Sequence, residues 1–362
     1  MSAQLKSPAS EIGIALVLLG TGGVGSALLR LLATPSAGGV HLVGVANSTR
    51  QVLGARGIVP TRVHTALSSA SSLRDDAALL ASLDASGSRC RVVVDATASA
   101  LTSARHADWL GRGYHVVSAN KSATGSSLDT WSAVRRASEG TGAVYGDAAT
   151  VGAGLPVLST LRRLRGCGDR LLTLEGVFSG SLSWLFNQFD GTRPFSALVR
   201  EARACGYTEP DPRIDLSGAD VARKLLILAR SAGHPLDVAD VDVDGLVPAA
   251  LRNVDAADFL ARIEELDAPL EARRAKAAGQ GRLLRFLARL DAHGHARVGL
   301  TDVEPTHPAA RLGGTDNLFA LTTLRYRAQP LVIQGPGAGP EVTAQALLGD
   351  VLALQTSAAA QR

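Results

Sequence analysis

The chain contains few of the residues that define disulfide-rich, metal-binding and membrane proteins. Its 362 residues include three cysteines, one methionine and 4% aromatic residues. Cys90, Cys167 and Cys205 form no Cys-x-x-Cys pair and have no histidine at a metal-ligand spacing. The pattern indicates neither a disulfide framework nor a zinc site, and it favours a cytoplasmic protein.

Long runs of one charge are also missing. Lys and Arg number 37 against 33 Asp and Glu, and this small excess is scattered, so the composition gives no support for a nucleic-acid partner. An uncharged run from Ile12 to Leu29 has the length of a membrane helix, but it is interrupted by glycines and preceded by little basic charge beyond Lys6. We therefore expect neither a membrane span nor a signal peptide.

The chain is rich in apolar residues, with 46% hydrophobic and 19% charged residues. Its length is sufficient for two domains. In residues 1–150, short apolar strands alternate with helices, which predicts βαβ units and a parallel sheet. Residues 151–334 mix longer helices, predicted at 194–204, 216–231 and 250–277, with strands, and they predict an α+β domain. Residues 335–362, a glycine-rich turn followed by a helix, are expected to return to the first domain. The predicted strands of the first part lie at 12–19, 40–46, 91–95, 115–118 and 143–145, and its helices at 24–33, 75–83, 101–111 and 127–138.

A glycine motif follows the first predicted strand and opens a helix. In Gly20-x-Gly22-x-x-Gly25 the first glycine makes the turn, the second admits a pyrophosphate to the backbone, and the third lets the helix pack on the strand. Together with Gly23 and Val24, it presents a helix N-terminus to phosphates. The motif predicts a Rossmann-type nucleotide-binding domain, and a simple tight turn is the alternative.

The end of the second strand bears on the choice of cofactor. An NAD-selective site places Asp or Glu there to bind the ribose 2′-hydroxyl, whereas this chain has Ala46-Asn47-Ser48-Thr49-Arg50. Arg50 suits a 2′-phosphate, which favours NADP over NAD, although an ordinary exposed loop arginine would give the same sequence. Two later strands also end in turns at this edge of the sheet. One turn offers Thr97 to the nicotinamide half of the cofactor, and the other carries Lys121, which can approach the ribose or the substrate, although an exposed loop lysine would look the same.

The densest group of polar residues lies between Cys205 and Lys224. A proline-rich loop carries Glu209, Asp211 and Asp215, and Ser217 with Asp220 resembles a capping box for the helix that follows.

Asp220 and Lys224 lie four residues apart and so share a helix face. Arg223 and Arg230 mark the polar side of that helix, while Lys224 falls on its apolar side. A partly desolvated lysine beside carboxylates is suited to general acid/base catalysis. The alternative is a surface ion pair beside a helix cap.

The segments Gly206-Tyr-Thr-Glu-Pro-Asp-Pro212 and Asp215-Leu-Ser-Gly-Ala-Asp-Val-Ala-Arg-Lys224 resemble the signature of homoserine dehydrogenases. Thr150–Pro156, Gly176–Ser181 and Gly335–Gly339 with the following Val-Thr-Ala are similar to that family as well. The likeness covers nearly the whole chain in the right order. The length resembles the stand-alone form, without a likeness to aspartate kinase or to a regulatory domain.

The resemblance implies an NAD(P)-dependent oxidoreductase of threonine, methionine and isoleucine biosynthesis that interconverts L-homoserine and L-aspartate 4-semialdehyde. It assigns the acid/base role to Lys224 and a supporting catalytic role to Lys121. Asp215 would orient the lysine, and Glu209 and Asp220 would bind the substrate.

Cofactor contacts implied by the resemblance are Gly22, Val24, Thr97, Gly206 and Gly339, and a homodimer formed through the second domain is expected. Family members carry a glutamate that supports a monovalent cation, Na⁺ or K⁺, where this chain has Ala148 beside Asp147. Either Asp147 substitutes, or a weaker site is formed by the carbonyls of Val151, Ala153 and Leu155, or no cation binds.

Two other functions compete with this interpretation. One is another NADP-linked dehydrogenase of a small amino or aldehyde substrate. The other is a protein that senses a dinucleotide without catalysing a reaction, and Ala148 is the only residue that suggests it.

Overall fold

The computed structural model describes residues 13–54 and 56–360, with the backbone alone for residues 356–360. The chain forms two compact units. Of the described residues, the first unit contains those from 13 to 123, from 129 to 150 and from 339 to 360, and the second contains residues 124–128 and 151–338. Ile12, the predicted start of the first strand, lies outside the described residues.

The strands of the described residues are β1 (Ile14–Leu19), β2 (Val40–Ala46), β3 (Gln51–Leu53), β4 (Cys90–Asp95), β5 (His115–Ser118), β6 (Tyr145–Gly146), β7 (Leu171–Val177), β8 (Val241–Val243), β9 (Leu283–Asp291), β10 (Ala296–Val303), β11 (Asp316–Thr323) and β12 (Leu331–Pro336). Their α-helices are α1 (Gly23–Leu32), α2 (Val63–Ser69), α3 (Asp76–Ala85), α4 (Ala100–Ser103), α5 (His106–Gly111), α6 (Leu128–Thr141), α7 (Val157–Gly166), α8 (Gly180–Gln188), α9 (Phe195–Ala204), α10 (Arg213–Leu216), α11 (Ala219–Ala232), α12 (Ala256–Ala261), α13 (Asp267–Ala278) and α14 (Pro340–Ala360).

The first unit is built on a sheet of order β3-β2-β1-β4-β5-β6. The short β3 runs antiparallel to β2, and the other neighbours are parallel. All six residues of β1 are buried, as expected for a strand whose two faces are covered by helices. On one face α1 and α14 pack together through Leu28 and Leu347, and on the other Leu79 and Trp109 fill the core. The predicted Rossmann-type sheet is confirmed.

The second unit contains a sheet of order β12-β11-β7-β9-β10-β8, antiparallel except for the β8–β10 pair. Its core holds most of the few aromatic rings, including Phe186 packed against Phe195 and Phe286. The long α11 contributes a continuous buried stretch from Lys224 to Arg230. The predicted α+β character is confirmed.

Two predicted helices are broken in the structure. The helix predicted over 101–111 is divided into α4 and α5, and the one predicted over 250–277 is replaced by α12, α13 and short 3-10 turns. In the second case Pro269 can occupy only the first turn of a helix because it lacks an N–H donor, so α13 begins at Asp267. Asp255 caps the separate α12 by accepting from the Asp258 amide.

No helix in the described part of the chain has both the length and the apolar character needed to cross a bilayer.

Candidate functional site

The glycine loop of the first unit has the geometry that a dinucleotide needs. Gly20 adopts a φ of +93°, and a Cβ on Gly25 would lie 1.9 Å from the Gly20 carbonyl oxygen. Gly22 is the N-cap of α1, with no side-chain cap, and a Cβ placed on it would meet nothing within 4 Å. The chain is therefore tight where α1 packs on β1 and open at the helix N-terminus, where phosphates bind.

Two other predicted cofactor residues lie beside this loop. A Cβ on Gly20 would be 2.9 Å from Cγ2 of Thr97, so the turn after β4 borders the glycine turn. Gly339 has a φ of +129°, and the following Pro340 places its Cγ 3.3 Å from the Cβ position of Gly23. The first unit thus brings together chain segments more than 200 residues apart.

The turn that carries Lys121 is fixed by its neighbour Asn120. The Asn120 side chain accepts from the Ser122 amide at 3.0 Å, and its Nδ2 donates to the Ser99 carbonyl at 2.8 Å. Lys121 itself is partly buried. The turns after β4 and β5 are therefore joined at the carboxyl edge of the sheet.

Arg50 is exposed and its guanidinium donates to the carbonyl of Ala70. The side chain of Asn47 shapes the turn by accepting from the amides of Thr49 and Arg50 at 2.9 and 2.7 Å. A further histidine, His64 of α2, places Nε2 3.1 Å from Oγ of Ser26 in the first turn of α1. No motif in the sequence indicated His64, because it reaches the loop from a separate helix.

In the second unit, Lys224 is 8% exposed. Its Nζ donates to the carbonyl of Phe178 at 2.7 Å and lies 2.9 Å from Oδ2 of Asp220. The Asp220 side chain is 44% exposed, so the ion pair has one buried and one accessible partner. This places the lysine on the buried side of α11, as predicted.

The loop before α11 positions the remaining acids. Asp215 accepts from Oγ of Ser181 at 2.7 Å and from the amide of Glu209 at 2.9 Å. Asp211 instead binds Arg213 at 2.6 Å, and this hydrogen bond is the main reason that the pKa of Asp211 is lowered. The exposed Glu209 follows Gly206, which ends α9 in a left-handed conformation with φ +72°.

Two predictions for α11 are wrong. The predicted capping box is absent, because Gly218 in a left-handed conformation is the N-cap and makes no side-chain cap. Ser217 instead donates to the Ile214 carbonyl and accepts from the Ala219 amide.

Arg230 was predicted on the polar side of the helix but is 3% exposed. It donates to the carbonyls of Thr124, Ser126 and Leu236 at 2.7 to 3.0 Å. Burial lowers its pKa to about 10, partly opposed by Asp237. The carbonyls replace the water that an exposed guanidinium would bind.

The sequence patterns did not indicate two further groups of this site, the Phe178 carbonyl and the Ser181 hydroxyl. Phe178 lies in the turn between β7 and α8, and Ser181 lies in the first turn of α8, which Ser179 caps by accepting from the Leu182 amide. Gly176–Ser181 is similar to a family segment, but a backbone carbonyl carries no sequence signal.

The segment from Val151 to Leu155 contains an unusual backbone. Ala153 has a φ of +53°, the single positive value among the non-glycine residues that the structure describes. Val151 and Ala153 are buried, and the Leu155 carbonyl accepts from the Val157 amide. Among the described residues, no group of three or more His, Cys, Asp or Glu side chains could hold a metal ion.

The fold and site define an α/β protein with a dinucleotide-binding unit and a second unit that buries a lysine beside carboxylates. Comparison with known families gives the more specific class. Residues 156–352 match the family model described as homoserine dehydrogenase, and residues 20–145 match the one described as homoserine dehydrogenase, NAD binding domain. The chain belongs to the homoserine dehydrogenase family.

Individual relatives agree with this placement. The homoserine dehydrogenase of Schizosaccharomyces pombe is 39% identical over 73% of each chain. The bifunctional aspartokinase/homoserine dehydrogenase 2 of maize is 40% identical over 95% of this chain, which spans 39% of the maize protein's length. A crystal structure of a Candida auris protein described as of unknown function is 34% identical, with a TM-score of 0.89 over 94% of this chain and 98% of that one.

Proposed function

We propose that this chain interconverts L-homoserine and L-aspartate 4-semialdehyde, with Lys224 as the general acid/base. The observation that carries the proposal is the buried Nζ of Lys224 between Asp220 and the Phe178 carbonyl. Family membership supplies the reaction, and this geometry supplies the proton-transfer group. The glycine loop from Gly20 to Gly25 would hold NAD(P), which when bound would supply the hydride-transfer chemistry.

Lys224 would take the hydroxyl proton of homoserine during oxidation and return it to the aldehyde oxygen during reduction. Its two fixed partners hold Nζ in one place, which is what a proton-transfer group requires. In the first unit Lys121, held by the Asn120 turn, would assist at cofactor and substrate.

The substrate ammonium would be bound by the carboxylates of Glu209 and Asp220, both accessible at the surface of the second unit. Charge-assisted hydrogen bonds of this kind are about twice as strong as neutral ones. Asp215 would act through Glu209, because it accepts from the Glu209 amide. Ser181 fixes the other oxygen of Asp215.

NADP is the proposed preferred cofactor. The turn after β2 has no carboxylate to bind a ribose 2′-hydroxyl, and the exposed Arg50 can pair with a 2′-phosphate. Asn47 holds this turn in shape.

A monovalent cation, Na⁺ or K⁺, is proposed at the carbonyls of Val151, Ala153 and Leu155. The left-handed Ala153 supports it, since such a conformation costs a non-glycine residue about 1 to 3 kcal/mol and tends to mark functional segments. Position 148 holds alanine where the family has glutamate, and alanine cannot support the cation, so we expect a weaker site.

A homodimer in the cytoplasm completes the proposal. Leu324, Tyr326 and Val332, near or on the outer strand β12, are 40 to 47% exposed and would be covered by a second copy. Cys167 and Cys205 are exposed free thiols, which suits a reducing compartment. Light scattering would measure the mass in solution, and a monomer would refute the dimer.

The experiment that tests the proposed reaction follows NADP reduction at 340 nm with L-homoserine, and NADPH oxidation with L-aspartate 4-semialdehyde. We expect turnover in both directions. Binding of NADPH without turnover of homoserine would contradict the proposal and favour a dinucleotide-sensing protein.

A further inference from the structure

A hydrogen-bonded aspartate and histidine are buried in the first unit, and neither is among the proposed binding residues. The side chains of Asp95, at the end of β4, and His106, at the start of α5, are both 0% exposed, with Nε2 of His106 3.0 Å from Oδ2 of Asp95. Burying a carboxylate is costly unless it is well hydrogen-bonded. The partners of Asp95 therefore show what the pair does.

Asp95 connects two loops at the carboxyl edge of the sheet. Its Oδ1 accepts from the Thr97 amide at 2.9 Å, and its Oδ2 accepts from Nδ2 of Asn120 at 3.1 Å. Asn120 in turn holds Ser122, so Lys121 lies between two residues anchored to this network. One carboxylate thus fixes both the Thr97 turn and the Lys121 turn.

His106 is held in one orientation by its second nitrogen. Nδ1 lies 3.1 Å from the hydroxyl of Tyr145, and the ring packs against Trp109 with centroids 5.5 Å apart. A neutral ring satisfies both contacts when Nε2 donates to Asp95 and Nδ1 accepts from Tyr145. His106 can therefore give Asp95 a fixed donor without adding a charge.

We infer that Asp95 and His106 are positioning residues for cofactor binding: they set the two loops that carry Thr97 and Lys121 without contacting the cofactor. The inference rests on the proposed roles of Thr97 and Lys121. A purely stabilising pair would affect unfolding and leave cofactor affinity unchanged, and this difference makes the inference testable.

The test measures the Kd of NADPH by fluorescence titration without homoserine, together with the melting temperature. His106→Phe keeps a ring but removes the donor to Asp95, and we expect the Kd to rise about tenfold, a size typical of one lost polar contact. His106→Gln, which can still donate to Asp95, is expected to recover most of the affinity. Asn120→Ala removes the link to the Lys121 turn while keeping the buried pair, and should raise the Kd even if His106→Phe does not fold.

Tyr114→Phe is the matched control. Tyr114 is also buried and donates to Asp84, but it precedes β5 at the amino edge of the sheet, away from the cofactor loops. It should lower the melting temperature and leave the Kd unchanged. The inference is overturned if the folded His106 and Asn120 variants bind NADPH within twofold of the wild type. A wild-type protein that binds NADPH but does not turn over homoserine would refute the proposed reaction. The NADPH Kd values of the variants would still decide the present inference.

Discussion

Nζ of Lys224 lies 2.9 Å from Oδ2 of Asp220, joining a side chain that is 11% exposed to one that is 44% exposed. The pair spans one turn of α11. It gives the lysine a fixed position at the boundary between the core of the second unit and its surface, where water contacts the lysine little and its partner carboxylate remains accessible.

Glu209→Gln tests how the substrate ammonium is bound. Replacing the carboxylate with an amide removes a charge-assisted contact worth about 1.5 to 3 kcal/mol, so the KM for homoserine should rise by about 10-fold to 100-fold. The Kd of NADPH should stay constant. Glu201→Gln, on the neighbouring α9 and paired with Arg193 at the surface, is the control. Equal changes of the KM in the two variants would show that Glu209 does not bind the substrate.

Ser181→Ala tests the support of the acidic loop. The change deletes the hydroxyl that donates to the Asp215 carboxylate. The KM for homoserine should rise about threefold to tenfold, because the charge-assisted hydrogen bond of about 1.5 to 3 kcal/mol acts on the substrate only through Glu209. Ser183→Ala on the same helix removes a similar buried hydroxyl that contacts Asn187 instead. An unchanged KM in Ser181→Ala would show that Glu209 keeps its position without this bond.

Arg50→Ala tests cofactor selection. Loss of the guanidinium should raise the KM for NADP by about tenfold or more and leave the KM for NAD unchanged, because NAD has no 2′-phosphate. Arg89→Ala is the matched control, since Arg89 is also exposed but precedes β4 at the opposite edge of the sheet. A parallel change in both cofactors would argue against a phosphate contact.

Titration of activity with NaCl and KCl, against choline chloride at equal ionic strength, tests the cation proposal. A saturable response at high millimolar concentration is expected for a site without the family's glutamate. An activity that does not respond to either salt would show that no cation acts at the carbonyls of Val151, Ala153 and Leu155.

The first unit was the more predictable part of the fold. β2 and β5 have the bounds that the sequence predicted, because each is a short apolar run that ends at polar turn residues. Breaks inside helical stretches were not predicted: α4 and α5 share one continuous helical pattern, and they are separated where the Arg105 amide donates to the Thr102 carbonyl in a tighter i→i−3 turn.

Side-chain environment was predictable only where local periodicity decides it. The position of Lys224 on the buried side of α11 followed from the spacing of its apolar neighbours. The burial of Arg230 did not, because its partners are carbonyls at Thr124 and Ser126, about a hundred residues away in the chain. The Phe178 carbonyl was missed for the same reason, since it lies 46 residues from Lys224 in the chain. The Asp95–His106 pair was missed although its members are 11 residues apart, because no local periodicity marks their contact.

The role of Lys224 is tested most directly by the kcat of Lys224→Ala for homoserine oxidation, measured at saturating NADP and beside Arg223→Ala, whose exposed side chain lies next to it on α11. A general acid/base contributes about 100-fold to 10,000-fold to the rate. The account predicts a loss of that size in Lys224→Ala, with an unchanged Kd for NADPH and near wild-type activity in Arg223→Ala. A kcat for Lys224→Ala within threefold of the wild type would contradict it.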